Sequence, residues 1–195
     1  PVLPEEYRDI EYVFLANIDP ELQLSVLNQV KNPKVVACDT MNYWIENKPE
    51  ALKEVIKRVD ILMLNDSETR ILAKEPRITH AARTVLELGP KVLIVKRGEY
   101  GALMFSKEGI FWAPSYPLEE VIDPTGAGDS FAGGFMGFIA GQGIADHVGF
   151  KTAVVFGSVI ASFTVENFSV KRLAQLRRSD VDKRFSAFIQ LSRLD

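Results

Sequence analysis

Short apolar runs alternate, in the first half of the chain, with longer stretches whose apolar residues recur at helical spacing. Runs of four or five apolar residues are typical of strands buried on both faces of a parallel sheet. They predict strands at Tyr12–Ala16, Val35–Cys38, Ile61–Leu64 and Val92–Val95. The stretches between them predict helices over Glu21–Val30, Ala51–Val59 and Glu68–Leu88. This alternation indicates a doubly wound α/β layer.

The second half of the chain has a different pattern. Gly101–Ser106 and Ile110–Ala113 flank a turn at 107–109 and predict two short antiparallel strands. Beyond Gly126 the apolar spacing predicts helices over 128–140, 146–163 and 180–193. Because no repeat, low-complexity tract or linker interrupts the 195 residues, we expect a single domain over 1–195.

A polar residue follows each apolar run. In open α/β sheets, ligands bind outside the carboxyl ends of the strands, so these side chains predict a binding rim. Loops after strands are commonly polar, which would account for some of them without any ligand. The residues are Asn17, Asp39, Asn65, Lys96 and, after the apolar pair Val121-Ile122, Asp123.

The run Asp123-Pro-Thr-Gly-Ala-Gly-Asp-Ser-Phe-Ala-Gly-Gly-Phe135 places a glycine-rich turn directly before an apolar helix. Backbone N–H groups of such a turn can point at one position, and the helix dipole adds partial positive charge there. Gly126 and Gly128 suit a positive φ or the close approach of a phosphate. The turn therefore predicts an anion site with the carboxylate of Asp129 beside it.

Glycines inside the predicted helix are unfavourable, since each costs about 1 kcal/mol relative to alanine. Three fall there: Gly133, Gly134 and Gly137. We expect close helix packing to offset this cost at Gly134 and Gly137.

Composition limits the function further. A net charge of −3 with scattered basic residues gives no sign of nucleic-acid or membrane binding. The lone cysteine, Cys38, lies in an apolar run, which predicts a buried thiol and fits the reducing cytoplasm. Trp44 and Trp112 are expected to be packing residues. Neither the P-loop motif nor a complete G-x-G-x-x-G is present.

The run Asp123–Phe135 resembles the C-terminal signature of the ribokinase-like (PfkB) carbohydrate kinases. The order of Asn65-x-x-Glu68, then Lys96-Arg-Gly98-x-x-Gly101, then the signature follows the same family. The resemblance implies a Rossmann-like sheet and ATP-dependent phosphorylation of an alcohol on a sugar or nucleoside. Family members carry a further N-terminal segment with strands and a β-lid, so the chain corresponds to their C-terminal part.

The resemblance also implies roles for residues of the glycine-rich turn. Asp129 would be the base that accepts the proton of the substrate hydroxyl. The amides of Gly126, Ala127, Gly128 and Asp129 would form the anion hole. Asp123 would bind K⁺, although an aspartate before proline is equally an ordinary turn residue.

Other residues are assigned by the same resemblance. The nucleotide set is Lys96, Arg97, Gly98, Gly101, Thr125, Gly126, Gly128, Ser158 and Ser162, and the substrate set is Asn17, Asp39, Asn42 and Asp129. Asn65 and Glu68 would organise Mg²⁺ through water, although the same spacing is a helix capping box.

Two further expectations complete the hypothesis. Many relatives dimerise through the lid, so a homodimer of the full-length protein is expected. The alternative to a kinase is a non-catalytic nucleotide-binding module, or inactive fragment, that acts through partner contacts.

Overall fold

The structure, a computed structural model, describes residues 2–191 and has six strands and eight α-helices in that range. The strands are β1 (Tyr12–Leu15), β2 (Val35–Asp39), β3 (Ile61–Asn65), β4 (Val92–Lys96), β5 (Ala102–Ser106) and β6 (Gly109–Ala113). The helices are α1 (Pro20–Leu27), α2 (Asn42–Asn47), α3 (Pro49–Ile56), α4 (Asp66–Ala73), α5 (Ile78–Glu87), α6 (Ala127–Gln142), α7 (His147–Thr164) and α8 (Arg178–Leu191).

The strands form one sheet in the order β1-β2-β3-β4-β5-β6. The first four strands are parallel to one another, with Leu15 opposite Cys38 and Asn65 opposite Lys96. Two residues connect β5 to β6, which is too short for a parallel crossover, so this pair is antiparallel. The predicted α/β fold is confirmed, and each predicted strand lies within one residue of its observed bounds.

The described residues divide into two compact units. The first contains the chain up to Arg97 together with Leu103–Phe111, and therefore the four parallel strands and α1–α5. The second contains Gly98–Ala102 and the chain from Trp112 onward, including α6, α7 and α8. The assignment of 1–195 to a single kinase domain stays a prediction.

The core of the first unit lies where helices cover the parallel strands. Every residue of β2 is buried, and α3 buries Leu52, Val55 and Ile56. Each fully buried side chain of this kind contributes about 1.5–3 kcal/mol. Burial also raises the pKa of the Cys38 thiol, which confirms its prediction as a core residue.

The helices of the first unit differ from the prediction in two places. The stretch 68–88 is two helices, because Lys74 adopts a left-handed conformation (φ 52°) after α4 and Pro76 follows. Helix α2 was missed, since its six residues lack a side-chain cap and any clear apolar period.

In the second unit, α6 and α7 pack closely at a pair of glycines. A Cβ at Gly134 would lie 2.9 Å from Ile160 Cγ1 and 3.2 Å from the Cα of Gly157, which confirms packing as the reason for Gly134. Gly137 is exposed and a Cβ there would meet no atom within 4 Å, so the packing expectation was wrong for Gly137.

Helix α7 is long and apolar enough, by length and composition, to cross a membrane. Half of its 18 residues are buried inside the protein, and it packs against α6 and α8. Helix α8 begins at Arg178, two residues before its predicted start, and the predicted end at 193 lies outside the described residues.

Candidate functional site

The rim predicted in the first unit is formed by the last residues of adjacent parallel strands. Asp39, Asn65 and Lys96 end β2, β3 and β4, and Asn17 lies two residues beyond β1. The side chain of Lys96 extends toward β2, with 4.0 Å between its Nζ and Asp39 Oδ2. Asp39 is only 4% exposed, so this ammonium balances a carboxylate that water barely reaches.

Asn65 and Glu68 form the capping box of α4. The Asn65 side chain accepts a hydrogen bond from the Glu68 backbone at 2.7 Å, and Glu68 Oε2 accepts one from the Asn65 backbone at 2.8 Å. Burial raises the pKa of Glu68, while the Asn65 N–H and the charge of Lys96 act in the opposite direction. The capping interpretation is therefore confirmed, and it leaves Glu68 as a carboxyl group held in place beside Lys96.

Arg97 interacts with an acidic residue of the same region. Its Nε donates to Asp66 Oδ1 at 3.2 Å, and Arg70 also binds Asp66. These cations, Arg70 first, lower the pKa of Asp66. The predicted contact of Arg97 with nucleotide stays a prediction, and the guanidinium already has this carboxylate partner.

Gln23 of α1 holds two strand ends of the rim together, which the sequence did not reveal. Its side chain is completely buried, and its Nε2 donates to the carbonyl oxygens of Leu15, Ala16 and Asp39 at 3.3, 3.0 and 3.3 Å. These bonds connect the carboxyl ends of β1 and β2. A single glutamine on an otherwise apolar helix face was the available signal.

Asn17 is held by the next helix along the rim. Its Oδ1 accepts a hydrogen bond of 3.0 Å from Trp44 Nε1 of α2, whereas Asn42, the first residue of α2, is exposed. The Trp44 ring contacts that of Tyr43, which confirms a packing role for Trp44.

The glycine-rich turn of the second unit ends at Gly126, which caps α6 with φ 78° and ψ 1°. Gly128 lies inside α6 without a positive φ, so a positive φ is confirmed for Gly126 alone, and the close approach of a phosphate to Gly128 stays a prediction. Within residues 2–191, the N–H groups of Gly126, Gly128 and Asp129 have no acceptor, while that of Ala127 donates to Pro124 O at 3.2 Å. The turn thus presents three free amides at a helix N-terminus.

Asp129 lies in the first turn of α6 and is exposed. Its carboxylate has no hydrogen-bond or ion-pair partner in the part of the chain that the structure describes. A free carboxylate next to free amides matches the arrangement expected from the sequence.

Asp123 stabilises the start of the same turn. Its carboxylate oxygens accept hydrogen bonds from the backbone N–H groups of Thr125 at 3.0 Å and Ser169 at 3.4 Å, and the Thr125 bonds are the main reason that its pKa is lowered. The expected position of Asp123 at a strand end of the rim was wrong, because Val121 and Ile122 are exposed loop residues.

Gly98 and Gly101 bound a tight turn with positive φ at both residues. A Cβ at Gly101 would lie 2.1 Å from the carbonyl oxygen of Ala113, so the close approach of the chain requires glycine there. This accounts for Gly101 structurally, and its contact with nucleotide stays a prediction.

The hydroxyl groups of the two serines predicted for the nucleotide are used inside the protein. Ser158 donates to Val154 O, and Ser162 donates to Val159 O while accepting from Arg184. Arg184 also stacks on Phe163, 3.5 Å from the ring centroid. These bonds give the predicted serine contacts no support.

Among residues 2–191, no group of three or more histidine, cysteine, aspartate or glutamate side chains is placed to hold a metal ion. A hollow of about 410 Å³ lies beside β1, with mostly apolar lining that includes Tyr12, Phe14 and Val26. None of the predicted site residues lines it.

Comparison with known protein families decides the classification. Residues 5–175 match the pfkB family carbohydrate kinase model. The chain belongs to the pfkB family. Both the glycine-rich turn and the rim of strand ends fall within the matched region.

Individual relatives of this pfkB chain are consistent with the match. It is 35% identical over 152 residues to a cytidine kinase of Thermococcus kodakarensis, covering 75% of this chain and 54% of the relative. The structure of the Methanocaldococcus jannaschii nucleoside kinase has a TM-score of 0.73 at 26% identity, covering 91% of this chain and 56% of that one. A ribokinase from Thermotoga maritima has a TM-score of 0.74 at 25% identity, with 97% and 60% covered. The chain spans about half the length of the cytidine kinase it matches.

Proposed function

We propose that the protein containing this chain transfers the γ-phosphoryl group of ATP to an alcohol of a nucleoside or sugar. The observation that carries the proposal is the glycine-rich turn at Gly126. There, three backbone amides without acceptors adjoin the exposed, unpartnered carboxylate of Asp129. Membership of a carbohydrate kinase family supports the same chemistry.

The amides provide the anion site. N–H groups at a helix N-terminus favour negative charge, and Gly126 supplies the left-handed conformation that begins α6. In phosphoryl transfer most of the catalysis comes from positioning and from stabilising charge on the transferred group. We assign this role to Gly126, Gly128 and Asp129. Ala127 would join them only if its N–H released Pro124.

Asp129 would act as the base. The proton of the substrate hydroxyl passes to its carboxylate as the substrate oxygen forms a bond to the γ-phosphorus. The bond from that phosphorus to the β–γ bridging oxygen breaks, and ADP leaves with the electron pair. An exposed carboxylate without an ion-pair partner is available for this transfer.

The rim of the first unit fits a lightly held Mg²⁺. Glu68 supplies one buried carboxyl group, and Asn65 fixes one of its oxygens. Mg²⁺ commonly keeps several waters and takes one or two protein carboxylates, so one such group is sufficient. When bound, the ion would neutralise charge on the phosphates. Asp123 offers one carboxylate to K⁺, but both its oxygens already accept N–H groups, and we assign no step to that ion.

The remaining proposed ligand contacts lie at the rim of strand ends and in the glycine turns. Lys96, Arg97, Gly98, Gly101 and Thr125 are proposed to contact the nucleotide, while Asn17, Asp39 and Asn42 are proposed for the acceptor. Relatives named for cytidine, nucleosides and ribose support an acceptor that carries a sugar hydroxyl. The lone buried thiol supports a cytoplasmic location, and a homodimer stays a prediction.

The experiment is an acceptor screen with the complete gene product. ADP release from ATP–Mg²⁺ is followed with a panel of nucleosides and sugars, and each acceptor-dependent rate is compared with the rate without acceptor. Acceptor-dependent ADP release supports the proposal. ATP binding without release for any acceptor would favour the non-catalytic nucleotide-binding module.

A further inference from the structure

Helix α2 presents an aromatic side chain, Tyr43, to solvent at the rim of the sheet, four residues after the end of β2. The ring of Tyr43 is 54% exposed, although tyrosine usually buries much of its apolar surface. It contacts Trp44 edge to face, with 4.8 Å between ring centroids and 82° between planes. Trp44 supports one side of Tyr43 and leaves the rest of the ring available to a ligand.

Several polar contacts fix this pair in position. Trp44 Nε1 donates to Asn17 Oδ1, and Lys48, which follows α2, binds Asp19 at 2.7 Å and Glu21 at 2.9 Å. Both ends of α2 are thereby held to the connection between β1 and α1. A rigid aromatic surface loses little entropy when a ligand stacks on it.

The same hydrogen bond orients Asn17. Because its Oδ1 accepts from Trp44, its amide nitrogen is the atom left for a ligand, and that nitrogen donates two N–H groups. No acceptor for them is found among residues 2–191. An amide donor beside an exposed aromatic ring is suited to a planar heterocycle with carbonyl or imine acceptors.

The geometry points to a nucleobase as the ligand of Tyr43 and Asn17, and so to a nucleoside rather than a free sugar as the acceptor. Tyr43 stacks on the base and the Asn17 amide donates to its carbonyl or ring nitrogen. Pyrimidines carry such acceptors, and stacking on an aromatic side chain tolerates any base. The inference rests on the proposed kinase function and specifies the acceptor.

The test uses tryptophan fluorescence, because Trp44 and Trp112 are the two tryptophans of the chain. In the Trp112→Phe variant the emission of Trp44 reports on the pair. Cytidine is expected to quench this emission saturably under 295 nm excitation, whereas ribose is not. Tyr43→Ala should weaken cytidine binding roughly 5- to 100-fold, and Tyr43→Phe, which keeps the ring, should change it less than about 3-fold.

Kinetics separate this inference from the proposed function. Tyr43→Ala should raise the KM for cytidine by the factor by which it weakens cytidine binding, without changing the KM for ATP. If cytidine is phosphorylated and Tyr43→Ala matches the parent protein, the inference is wrong and the kinase function stands. If cytidine quenches Trp44 but no acceptor is phosphorylated, the base site stands and the kinase function fails. If the Trp44 emission were quenched by raising the protein concentration and not by adding cytidine, a second copy of the chain would be binding at Tyr43. That result would overturn the inference.

Discussion

The backbone N–H of Asn65 donates to the carboxyl group of Glu68 at 2.8 Å, which fixes a buried acidic side chain at the start of α4. Burial raises the pKa of Glu68 above its unfolded value of about 4.3. The folded protein therefore binds more protons at this group than the unfolded protein does. The resulting stabilisation is fully present below the unfolded pKa and is lost as the pH rises through the folded pKa.

Glu68→Gln removes the charge and keeps an oxygen for the Asn65 N–H. We expect its free energy of unfolding at pH 7 to equal or exceed that of the parent protein, and the difference to shrink as the pH falls toward 4. Urea denaturation at several pH values measures this. The matched control is Asp66→Asn, whose parent carboxylate has a lowered pKa, so that change should reduce stability at pH 7. If the free energy of unfolding of Glu68→Gln rose further above that of the parent protein as the pH falls, the raised pKa of Glu68 would be contradicted.

The proposed metal role of Glu68 gives a separate prediction. Removing the carboxylate should raise the Mg²⁺ concentration needed for half-maximal kinase activity, since the ion loses a negatively charged ligand. Activity is measured against Mg²⁺ at saturating ATP and acceptor. An unchanged Mg²⁺ requirement would leave Glu68 with the helix-capping role alone.

The contacts of Glu68 could be predicted from the sequence, whereas those of Gln23 could not. The N-x-x-E spacing predicted a capping box because this motif involves residues only three positions apart in the chain. Both hydrogen bonds of the capping box are present. The bonds of Gln23 to Leu15 and Asp39 join segments that meet only in the folded sheet. Tertiary contacts of this kind leave no periodic signal in the chain.

The incorrect prediction for Asp123 also reflects contacts that form only in the folded chain. Asp123 was expected after a strand because Val121-Ile122 is apolar, yet both side chains are exposed and the loop is fixed by backbone bonds to Val165 O. The hydroxyl of Ser162 accepts a hydrogen bond from Arg184, 22 residues later in the chain, which is another tertiary contact without a local signal, and the contact of Ser162 with nucleotide stays a prediction. Strand ends and the glycine turn were predictable because turns and short apolar runs are local features.

Lys96 is predicted to matter more for stability than its neighbour Arg97. Lys96→Met leaves the buried Asp39 carboxylate without its ammonium neighbour, which should cost about 1–3 kcal/mol. Arg97→Met breaks a half-exposed pair with Asp66 and should cost less than about 1 kcal/mol. Urea denaturation of both variants at pH 7 makes the comparison. Equal losses would show that the Asp39 contact contributes no more than a surface ion pair.

The two helix glycines should respond oppositely to alanine. Gly137→Ala adds a methyl group in open space and should stabilise the protein by up to about 1 kcal/mol. Gly134→Ala forces Ile160 away from its position 2.9 Å from the new carbon, and should destabilise by roughly 1 kcal/mol or more. Thermal or urea unfolding distinguishes them. Stabilisation by Gly134→Ala would mean that α7 yields freely at this crossing.

In the proposed reaction the carboxylate of Asp129 accepts the proton of the substrate hydroxyl beside the amides of Gly126 and Gly128. This role is tested by the turnover of Asp129→Asn in the complete gene product, measured with saturating ATP–Mg²⁺ and the best acceptor, alongside ATP binding by calorimetry. We expect kcat to fall roughly 10²- to 10⁴-fold while ATP binding is retained. Near-normal turnover of Asp129→Asn would contradict this role.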